Sequence, residues 1–540
     1  MEEINTEWLP HLSNEIVADA HGYLLDAYAV ALEGWRRGLT LRWHVKDSEK
    51  FKEMTTWFVD NPGQLFSLSS KDKTHYFFRT RGDLVSNEAV RIGKDKDETK
   101  QALLKAGVSV PEGKRFQPDS TIDAMLNYAN GIGYPVVIKP TDGSFGRGVI
   151  TNITSSGELE HSLAYIKNTY NYTDIIIERY IPGNEYRVYV VEDKVVGAVH
   201  RIPANVQGDG VHSIKALIEL KNEERSLNPR LISCPIQINQ ELVDFIGRHN
   251  FTLETVPANG EQVFLNDKSN ISIGGDPVDV LDDLPEGVKR SAVQAVKAVD
   301  GLPHCAVDLI IDSSQKAVII ELNPTAQIGA LLYPLKGQAR DIPSALINYY
   351  FPETADQQLH KRQAYFDFHD MLDPLQSRDA SVTTVTPAPT EKLYMKSYIV
   401  SGEVQEIGYH RGLRKQAFER YLHGFVMNLE DGNIEVVVAG TDPDMVDDFK
   451  HALWEDEERA KVLEVKEQPY TEPIKVGFEI KTDLKTQIED LKRYKQELEQ
   501  LDYAIKKAEV KNRKYHRSLS WKAAKPIRVL GSLFKNNKQR

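Results

Sequence analysis

Apolar positions recur with two different periods over the first 350 residues of the chain. Residues 16–38 place apolar side chains at helical spacing, and strand-like runs follow at residues 39–45, 64–70 and 75–81. These first ninety residues predict a small α/β unit. A helix from Asp97 to Lys105 comes next, and strands, helices and glycine-rich turns then alternate to about residue 350.

The pattern changes after residue 350. Residues 377–391 show no apolar period and are rich in Thr, Ser, Ala and Pro, which predicts an extended linker. The segment after it predicts strands at 392–404, 424–428, 433–440 and 460–468, with helices at 411–422 and 442–454. This β-α-β-β-α-β order is the ferredoxin-like arrangement.

An apolar residue recurs every seven positions near the C-terminus, at Leu484, Leu491, Leu498 and Ile505. This repeat predicts a heptad helix, which either self-associates as a coiled coil or packs on its own protein.

Composition and charge exclude several classes of protein. Two cysteines in 540 residues argue against a disulfide framework, and no run of about 18 apolar residues is present to span a bilayer. We therefore expect a cytoplasmic protein. Residues 511–540 hold ten basic side chains and no acidic one, which leaves 57 basic against 79 acidic side chains in the rest of the chain.

This basic tail interleaves its charges with apolar side chains such as Trp521 and Phe534. Three interpretations remain: a peripheral contact with an anionic membrane on the inner face, a disordered solubilising tail, or nucleic-acid binding. The acidic balance of the whole chain argues against nucleic acid, so no nucleic-acid partner is expected.

A glycine-rich loop follows a buried strand in "YPVVIKPTDGSFGRGV", residues 134–149. The strand ends on Lys139, and the loop 142–148 contains three glycines. Such a loop lets backbone N–H groups approach phosphate oxygens while the lysine neutralises their charge. Taken alone, a glycine-rich turn is more often only a turn.

Further polar side chains end other buried strands. Glu178 ends "IIIE", and Glu185 and Arg187 lie on the next strand. In "AVDLIIDSSQKAVIIELNPTAQIG", residues 306–329, a hairpin aligns Asp308 with Glu321 and Asn323. Oxygen ligands of this kind suit Mg²⁺ (or Mn²⁺) bound to nucleotide phosphates, and a buried carboxylate without a cation would be costly.

With these motifs, residues 91–350 resemble ATP-grasp carboxylate–amine ligases of the cyanophycin synthetase and glutathione synthetase-like kind. The resemblance extends to "DKDETKQALLKAGVSVPEG", to residues 201–222 and to residues 263–275. It implies an ATP- and Mg²⁺-dependent enzyme that activates a carboxylate as an acyl phosphate and joins it to an amine of a small molecule or peptide.

The resemblance also implies a role for each site residue. Lys139 and the loop residues Gly143, Ser144, Gly146 and Gly148 would bind ATP phosphates. Glu178, Tyr180 and Ile181 would recognise adenine, and Glu185 would bind the ribose. Asp308, Glu321 and Asn323 would ligate the metal, Arg187 and Arg201 would face the transferred phosphate or the substrate carboxylate, and Asn270, Ser272 and Gly274 would cover the reacting centre.

Residues 392–480 resemble acylphosphatases through "GEVQEIGYHRG" and "VMNLEDG". The resemblance implies a phosphate cradle in a turn around Gly408 and a water-orienting asparagine at Asn428. His410 stands where the family has its phosphate-binding arginine, and Glu406 stands where it has a glycine. A histidine mostly neutral at pH 7 and a carboxylate in the cradle both disfavour phosphate, so we expect a degenerate site.

The expected architecture is a multidomain α/β and α+β protein. The predicted parts are an N-terminal α/β domain (1–90), an ATP-grasp domain (91–352), a linker (353–391), an acylphosphatase-like domain (392–480), a heptad helix (481–512) and a basic tail (513–540). Ligase activity is the leading hypothesis. The alternatives are an enzyme that chiefly hydrolyses acyl phosphates and a non-enzymatic nucleotide-binding scaffold.

Overall fold

The computed structural model describes residues 6–141, 148–356, 363–405, 407–454 and 460–481, together with residues 495, 498, 501 and 505. The described residues form two compact units divided near residue 393, and residues 472–476 belong to the first unit. No helix among the described residues is long and apolar enough to cross a membrane.

The first unit begins with one long buried helix and an antiparallel sheet. Its elements are β1 (Thr6–Glu7), α1 (Tyr23–Arg36), β2 (Thr40–His44), β3 (Leu65–Ser69), β4 (Thr74–Phe78) and β5 (Arg81–Gly82). Strands β2 to β5 follow one another across the sheet, and each pairs antiparallel with the next. This mixture of helix and strand is what the apolar pattern predicted.

A four-stranded antiparallel sheet comes next, in the order β6-β9-β7-β8. The elements of this region are α2 (Asn87–Lys94), α3 (Lys96–Lys105), β6 (Gly113–Phe116), α4 (Ile122–Ile132), β7 (Val136–Pro140), β8 (Ile150–Ile153), α5 (Ser156–Tyr170) and β9 (Ile175–Arg179). Apolar residues of α4 and α5 pack together with those of β7 and β9. Helix α3 begins where Asp95 accepts hydrogen bonds from the N–H groups of Asp97 and Glu98.

The second large sheet of this unit has the order β14-β11-β10-β15-β16, and all its pairs are antiparallel. The elements of this stretch are β10 (Asn184–Val191), β11 (Lys194–Ile202), β12 (Asn205–Gln207), α6 (Ile214–Ser226), α7 (Gln240–Arg248), β13 (Gln262–Phe264), β14 (Asp276–Asp279), α8 (Glu286–Lys297), β15 (His304–Ile311) and β16 (Ala317–Asn323). The hairpin β15–β16 sets Asp308 opposite Glu321, as the sequence predicted.

Residues 353–391 are not the linker that the sequence predicted. The elements that complete the unit are α9 (Gly329–Leu332), β17 (Gly337–Gln338), α10 (Ile342–Tyr350), β18 (Ala364–Tyr365), α11 (Phe368–Gln376) and β19 (Val382–Thr384). Strand β19 pairs with β2 at the edge of the N-terminal sheet, and the Trp35 indole donates a hydrogen bond to the Thr386 carbonyl. Residues 382–384 are held by backbone pairing, which leaves no apolar period to read, whereas α11 buries Phe368, Leu372 and Leu375.

The second unit is a ferredoxin-like fold. Its elements are β20 (Tyr394–Glu403), α12 (Ile407–Glu419), β21 (His423–Asn428), β22 (Ile434–Gly440), α13 (Pro443–Ala452) and β23 (Lys461–Pro469). Strand β24 (Ile474–Lys475) then pairs with β18 inside the first unit, and β25 (Phe478–Lys481) returns to pair in parallel with β21. The sheet order is β23-β20-β22-β21-β25.

The predicted turn around Gly408 is wrong, because α12 begins at Ile407 and Gly408 lies inside it. Tyr409, Leu413 and Ala417 are buried at a spacing of four, so the apolar stripe of the helix starts before residue 411. The predicted heptad helix falls outside the described residues except at positions 495, 498, 501 and 505, and the basic tail falls outside them entirely.

Candidate functional site

Two buried lysines share one buried carboxylate at the four-stranded sheet. Lys139 on β7 lies 2.6 Å from Glu178 on β9, and Lys100 on α3 lies 3.0 Å from the other oxygen of the same carboxylate. Burial acts to raise the pKa of Glu178, but Lys139 and Lys100 outweigh it and hold that pKa below its ordinary value. The carboxylate stays ionised, and the cluster carries one excess positive charge that suits a phosphate.

The sequence motifs did not single out Lys100, although it lies in the stretch "DKDETKQALLKAGVSVPEG". Thr99, Lys100 and Leu103 form the buried side of α3. A lysine on the apolar side of a helix needs a buried anion or a ligand, because an unpaired buried charge is costly. That position within the helical pattern was the signal that could have identified it.

The loop predicted to close over the phosphates is described only at its end. Gly143, Ser144 and Gly146 lie outside the described residues. Gly148 has φ near +71°, and a Cβ there would lie 3.0 Å from the Tyr172 ring. The chain therefore requires glycine where it leaves this loop.

The resemblance assigns Glu178 to adenine recognition, and in the structure its carboxylate contacts two lysines. Both of its oxygens accept hydrogen bonds from lysines. Tyr180 and Ile181 follow β9 directly, and the backbone N–H of Tyr180 donates to the carbonyl of Pro135 at 3.0 Å. In this structure Glu178 holds the two ammonium groups in place.

Two arginines and two carboxylates form a second cluster on the five-stranded sheet. Arg187 on β10 donates two hydrogen bonds of 2.9 Å to Asp308, which lies directly opposite it on β15. Arg201 on β11 lies 3.1 Å from Asp308 and also donates to Glu185. The Ser269 hydroxyl donates to the same Glu185. The sequence singled out the neighbouring Asn270 and Ser272, whereas the residue that hydrogen-bonds to this cluster is Ser269.

The arginines control the charge of this cluster. Burial acts to raise the pKa of Asp308, yet Arg187 and Arg201 bring it down to about 2. Burial acts to lower the pKa of Arg187, and Asp308 raises it above its ordinary range. Asp308 and Arg187 are therefore both ionised at neutral pH. Glu185, which the resemblance assigns to the ribose, accepts hydrogen bonds from Arg201 and Ser269.

The residues predicted to bind a metal lie together at the β15–β16 hairpin. Glu321 lies opposite Asp308, and its carboxylate makes no hydrogen bond or ion pair to a described residue. The Asn323 side-chain oxygen accepts a weak hydrogen bond from the Thr325 N–H at 3.3 Å. No group of three or more His, Cys, Asp or Glu side chains with metal-site geometry occurs among the described residues. Two carboxylates and one amide oxygen nevertheless match the oxygen donors that Mg²⁺ takes along with water.

The acylphosphatase-like domain keeps the family's asparagine as Asn428, but the position of the family's arginine is occupied by His410. Val400 of β20 and Asn428 of β21 both lie opposite Ile434, and β20 continues beyond this level to Glu403. Burial lowers the pKa of His410, although a hydrogen bond to the Val404 backbone acts to raise it. His410 Nε2 and the side-chain oxygen of Asn428 are both buried without a hydrogen-bond partner among the described residues. Glu406 lies outside the described residues.

Comparisons with known proteins give the same division of the chain. Residues 93–228 match the family model of the RimK-like ATP-grasp domain, and residues 396–480 match the acylphosphatase model. The glutathione biosynthesis bifunctional protein GshAB of Desulfotalea psychrophila is 30% identical over 302 residues, 54% of this chain and 38% of its own length. A cyanophycin synthetase of Synechocystis sp. is 32% identical over 272 residues, 49% of this chain and 31% of its own length.

Among solved structures, a bifunctional glutathione synthetase from Pasteurella multocida aligns with a TM-score of 0.42 at 27% identity, over 54% of this chain and 41% of that one. The chain thus spans less than half the length of these relatives. Two separate family models match two separate parts of one chain. The chain therefore contains a region similar to RimK-like ATP-grasp domains, followed by a region similar to acylphosphatases.

Proposed function

We propose that this protein is an ATP-dependent ligase that activates a carboxylate as an acyl phosphate and joins it to an amine. The observation that carries the proposal is the pair of buried clusters on two sheets of one unit. Lys100 and Lys139 offer excess positive charge for the phosphates of ATP, and Arg187 and Arg201 offer planar donors for a transferred phosphoryl group.

The chemistry needs no nucleophilic side chain. A carboxylate oxygen of the substrate attacks the γ-phosphorus of ATP, and ADP leaves. The amine then attacks the carbonyl carbon of the acyl phosphate, a C–N bond forms, and inorganic phosphate leaves. The protein contributes positioning and charge neutralisation, which are the main sources of rate enhancement in phosphoryl transfer.

A divalent cation, Mg²⁺ or Mn²⁺, would be held by Asp308, Glu321 and Asn323. It would supply further neutralisation of phosphate charge when bound. Glu321 is the donor most available for this role, because its carboxylate is not engaged by a described residue, whereas Asp308 is already held by two arginines.

ADP release measured with panels of carboxylates and amines, amino acids and short peptides included, tests the proposal. Lys139→Ala and Glu321→Ala should each lower amine-dependent ADP release by roughly 100-fold or more, since the first removes a cation that neutralises phosphate charge and the second removes a ligand of the proposed divalent cation. Lys114→Ala is the matched control, because Lys114 is an exposed lysine on β6 of the same sheet as Lys139. Turnover by the Lys139 and Glu321 variants at the wild-type rate would refute the site, and ATP binding without turnover would favour a scaffold.

The acylphosphatase-like domain acts as a docking or regulatory module rather than as a phosphatase. The reason is the neutral, buried His410 at the position where the family has its phosphate-binding arginine. Robust hydrolysis of benzoyl phosphate by the full chain, lost in Asn428→Ala, would contradict this assignment and favour the hydrolytic alternative.

The proposal also assigns a cellular compartment and a role for the basic C-terminal tail. The protein works in the cytoplasm, and its basic C-terminal residues hold it at anionic lipid. Co-sedimentation of the full chain with vesicles containing phosphatidylserine, compared with neutral vesicles, measures this contact. Equal sedimentation with both would rule it out.

A further inference from the structure

A cavity of about 680 Å³ opens beside the N-terminal sheet, at the point where α2 begins. One side of it is formed by residues 49–54, which include a short 3-10 helix at Glu49–Phe51. The other side is formed by Tyr76 of β4, Arg81 of β5 and the turn that leads into α2. A cavity of this volume is large enough for a small metabolite.

Arg81 is a buried cation in the wall of this cavity. It is 1% exposed, and its guanidinium donates hydrogen bonds to the Val85 and Thr55 carbonyls and to the Asn87 side chain. All these acceptors are neutral, and Arg81 forms no ion pair with a described residue. Burial lowers the pKa of Arg81 to about 10, and only the Tyr350 hydroxyl acts to raise it. A buried charge without a counter-ion is costly, so the wall favours an anion.

A structural role for Arg81 explains its hydrogen bonds but leaves one donor and the charge unexplained. Asn87 already fastens the segment beside the cavity to the start of α2, because its side chain accepts from the Thr55 N–H and donates to the Glu53 carbonyl. In Arg81, Nε donates to one acceptor, Nη1 to one and Nη2 to two. One of the five guanidinium N–H groups, on Nη1, therefore has no acceptor among the described residues.

The other charges of the cavity wall favour an anion with a single negative charge. Asp83 accepts a hydrogen bond from the Tyr76 N–H and lies 2.8 Å from Nδ1 of His75, so it does not neutralise Arg81. With Arg81, the charges of the wall sum to zero. One carboxylate would pair with Arg81, whereas a phosphate dianion would add a second negative charge beside the acidic side chains. The wall contains two further cations and three carboxylates: Lys50, Lys52, Glu49, Glu53 and Asp83.

Helix α2 leads from this cavity to the predicted metal ligands. Asn87 at its start lines the cavity, and a Cβ on Gly93 near its end would lie 2.7 Å from Cδ of Pro324. Pro324 directly follows Asn323, one of those predicted ligands. The two positions on α2 are about 9 Å apart along the helix axis. A ligand in the cavity is therefore separate from the reacting centre but contacts a helix that packs against it.

The same helix contacts the segment that carries the buried lysine of α3. The Thr99 hydroxyl donates a hydrogen bond of 2.6 Å to the Ile92 carbonyl at the end of α2. Thr99 immediately precedes Lys100, which binds the Glu178 carboxylate. A change in the position of α2 would thus reach both the metal ligands and the lysines that face ATP.

We propose that this cavity is an effector site that binds a small carboxylate and thereby changes the affinity of the protein for ATP. The carboxylate accepts a hydrogen bond from Nη1 of Arg81. Lys50 and Lys52 attract it from solvent, and the side chains of Tyr76 and Met54 contact the rest of the ligand. Neither carboxylate nor nucleotide binding requires amide-bond formation, so this inference does not depend on the ligase function proposed above.

Three probes of similar shape test the class of ligand on the full chain: benzoate, benzamide and phenyl phosphate. Their binding is measured by calorimetry with the ATP site filled by Mg²⁺ and a non-hydrolysable ATP analogue. Benzoate should bind at least about 10-fold more tightly than either of the others, because the amide is neutral and the phosphate carries an additional charge. Equal binding of benzamide, tighter binding of phenyl phosphate, or no benzoate binding at millimolar concentration would overturn the proposal.

Charge-reversal variants locate the bound benzoate. Lys50→Glu combined with Lys52→Glu should weaken its binding by about 10-fold or more, because two attractive charges become repulsive. Lys71→Glu combined with Lys105→Glu is the matched control on exposed lysines outside the cavity, and it should change the affinity by less than about threefold. Arg81→Met should abolish measurable binding. If that variant fails to fold, the exposed lysines still decide, and unchanged affinity after their reversal would overturn the proposal.

Binding of the ATP analogue tests the effector role. Saturating benzoate should change its Kd by about threefold or more, and the saturating analogue should change the Kd of benzoate by the same factor. The charge-reversed Lys50 and Lys52 variant should lose the effect of benzoate at the concentration that saturates wild type. An unchanged Kd in wild type would overturn the effector role and leave the ligase proposal intact. Absence of amine-dependent ADP release would overturn the ligase proposal and leave the carboxylate site intact.

Discussion

At the scale of single residues, the molecule keeps its positive charges buried and shares them among few carboxylates. Glu178 serves two lysines, and Asp308 serves two arginines. Glu185 balances the second arginine of the Asp308 cluster, whereas the Glu178 cluster is short of one negative charge until an anionic ligand arrives. Removing the carboxylate and removing one cation should thus have different consequences.

Glu178→Gln should destabilise the fold more than Lys100→Met or Lys139→Met. The neutral amide leaves two buried ammonium groups without an anion, and breaking a buried pair in this way costs about 3 to 5 kcal/mol. Each lysine variant leaves one ion pair intact, so its main effect should be a higher KM for ATP. Urea unfolding gives the order of stability of the three variants, and ATP kinetics gives the order of their KM values. A Glu178→Gln protein as stable as wild type would contradict the reasoning.

Asp26 gives a prediction about pH. Burial raises the pKa of Asp26 from 3.8 to about 6, although Arg230 and two backbone hydrogen bonds act to lower it. The folded protein therefore binds this proton more tightly than the unfolded chain, and its stability falls as the pH rises from about 4 to about 6. The shift corresponds to about 3 kcal/mol.

Asp26→Asn removes this titration and keeps an oxygen for the N–H groups of Ile328 and Gly329. Relative to wild type, the variant should become more stable by about 3 kcal/mol between pH 4 and pH 7. Urea unfolding of both proteins at pH 4 and pH 7 measures the difference between their free energies of unfolding. The effects of other titrating groups cancel in this difference. An unchanged difference across this range would show that Asp26 is already charged at pH 4.

At the scale of elements, long apolar runs were predictable from the sequence and short edge elements were not. Strands β2, β3, β4, β15 and β16 carry buried apolar side chains, and the sequence located all of them. Strand β19 has three residues, two of them exposed, and is held by backbone pairing with β2. Residues separated by 300 positions, such as Asp26 and Ile328, meet only through the fold, which no local period encodes.

Residues 363–393 should be required for the N-terminal unit to fold. Phe366 packs on Trp35 with ring centres 5.3 Å apart, and Phe368 packs on Trp43 at 5.1 Å. Loss of each buried phenylalanine costs about 3 to 5 kcal/mol, which together approaches the whole stability of a domain. A fragment 1–352 should therefore show no cooperative thermal transition by near-ultraviolet circular dichroism.

The matched fragment 1–393 retains these contacts and lacks only β24 among the strands of its unit. It should unfold cooperatively. Similar cooperative transitions for the two fragments, within about 3 °C of each other, would restore the prediction that residues 353–391 are a linker.

The strand-to-helix connection of the second unit provides a gain-of-function prediction. Glu406→Gly combined with His410→Arg should raise benzoyl phosphate hydrolysis by the full chain, because a permanent cation then replaces a neutral side chain in the first turn of α12. Asn428→Ala in that background should abolish the gain, and Glu406→Gly with His410→Gln is the matched control without a cation. No gain in the arginine variant would mean that the scaffold has lost more than these two side chains.

At the scale of the whole molecule, the net charge bears on ligand binding and the predicted heptad repeat bears on self-association. The net charge of −12 opposes approach of anionic ATP and carboxylates, so binding must rely on the buried cations of the first unit. The ten basic residues of 511–540 are set apart from this acidic majority. The heptad repeat precedes that basic stretch in the sequence and is the candidate for self-association.

Self-association through the heptad positions can be tested on the full chain. Leu498, Leu501 and Ile505 are helical and exposed by 65%, 58% and 49%, whereas a helix packed on its own protein would bury such a stripe. Light scattering during size-exclusion chromatography should therefore give a mass above the 61.2 kDa of one chain. Leu498→Glu combined with Ile505→Glu should return it to one chain, because two charges in an apolar seam cannot be desolvated cheaply. Gln500→Glu, which adds a charge two positions after Leu498 in the repeat, is the control and should have the same mass as wild type. If wild type itself had the mass of one chain at tens of micromolar, the helix would instead pack within its own chain.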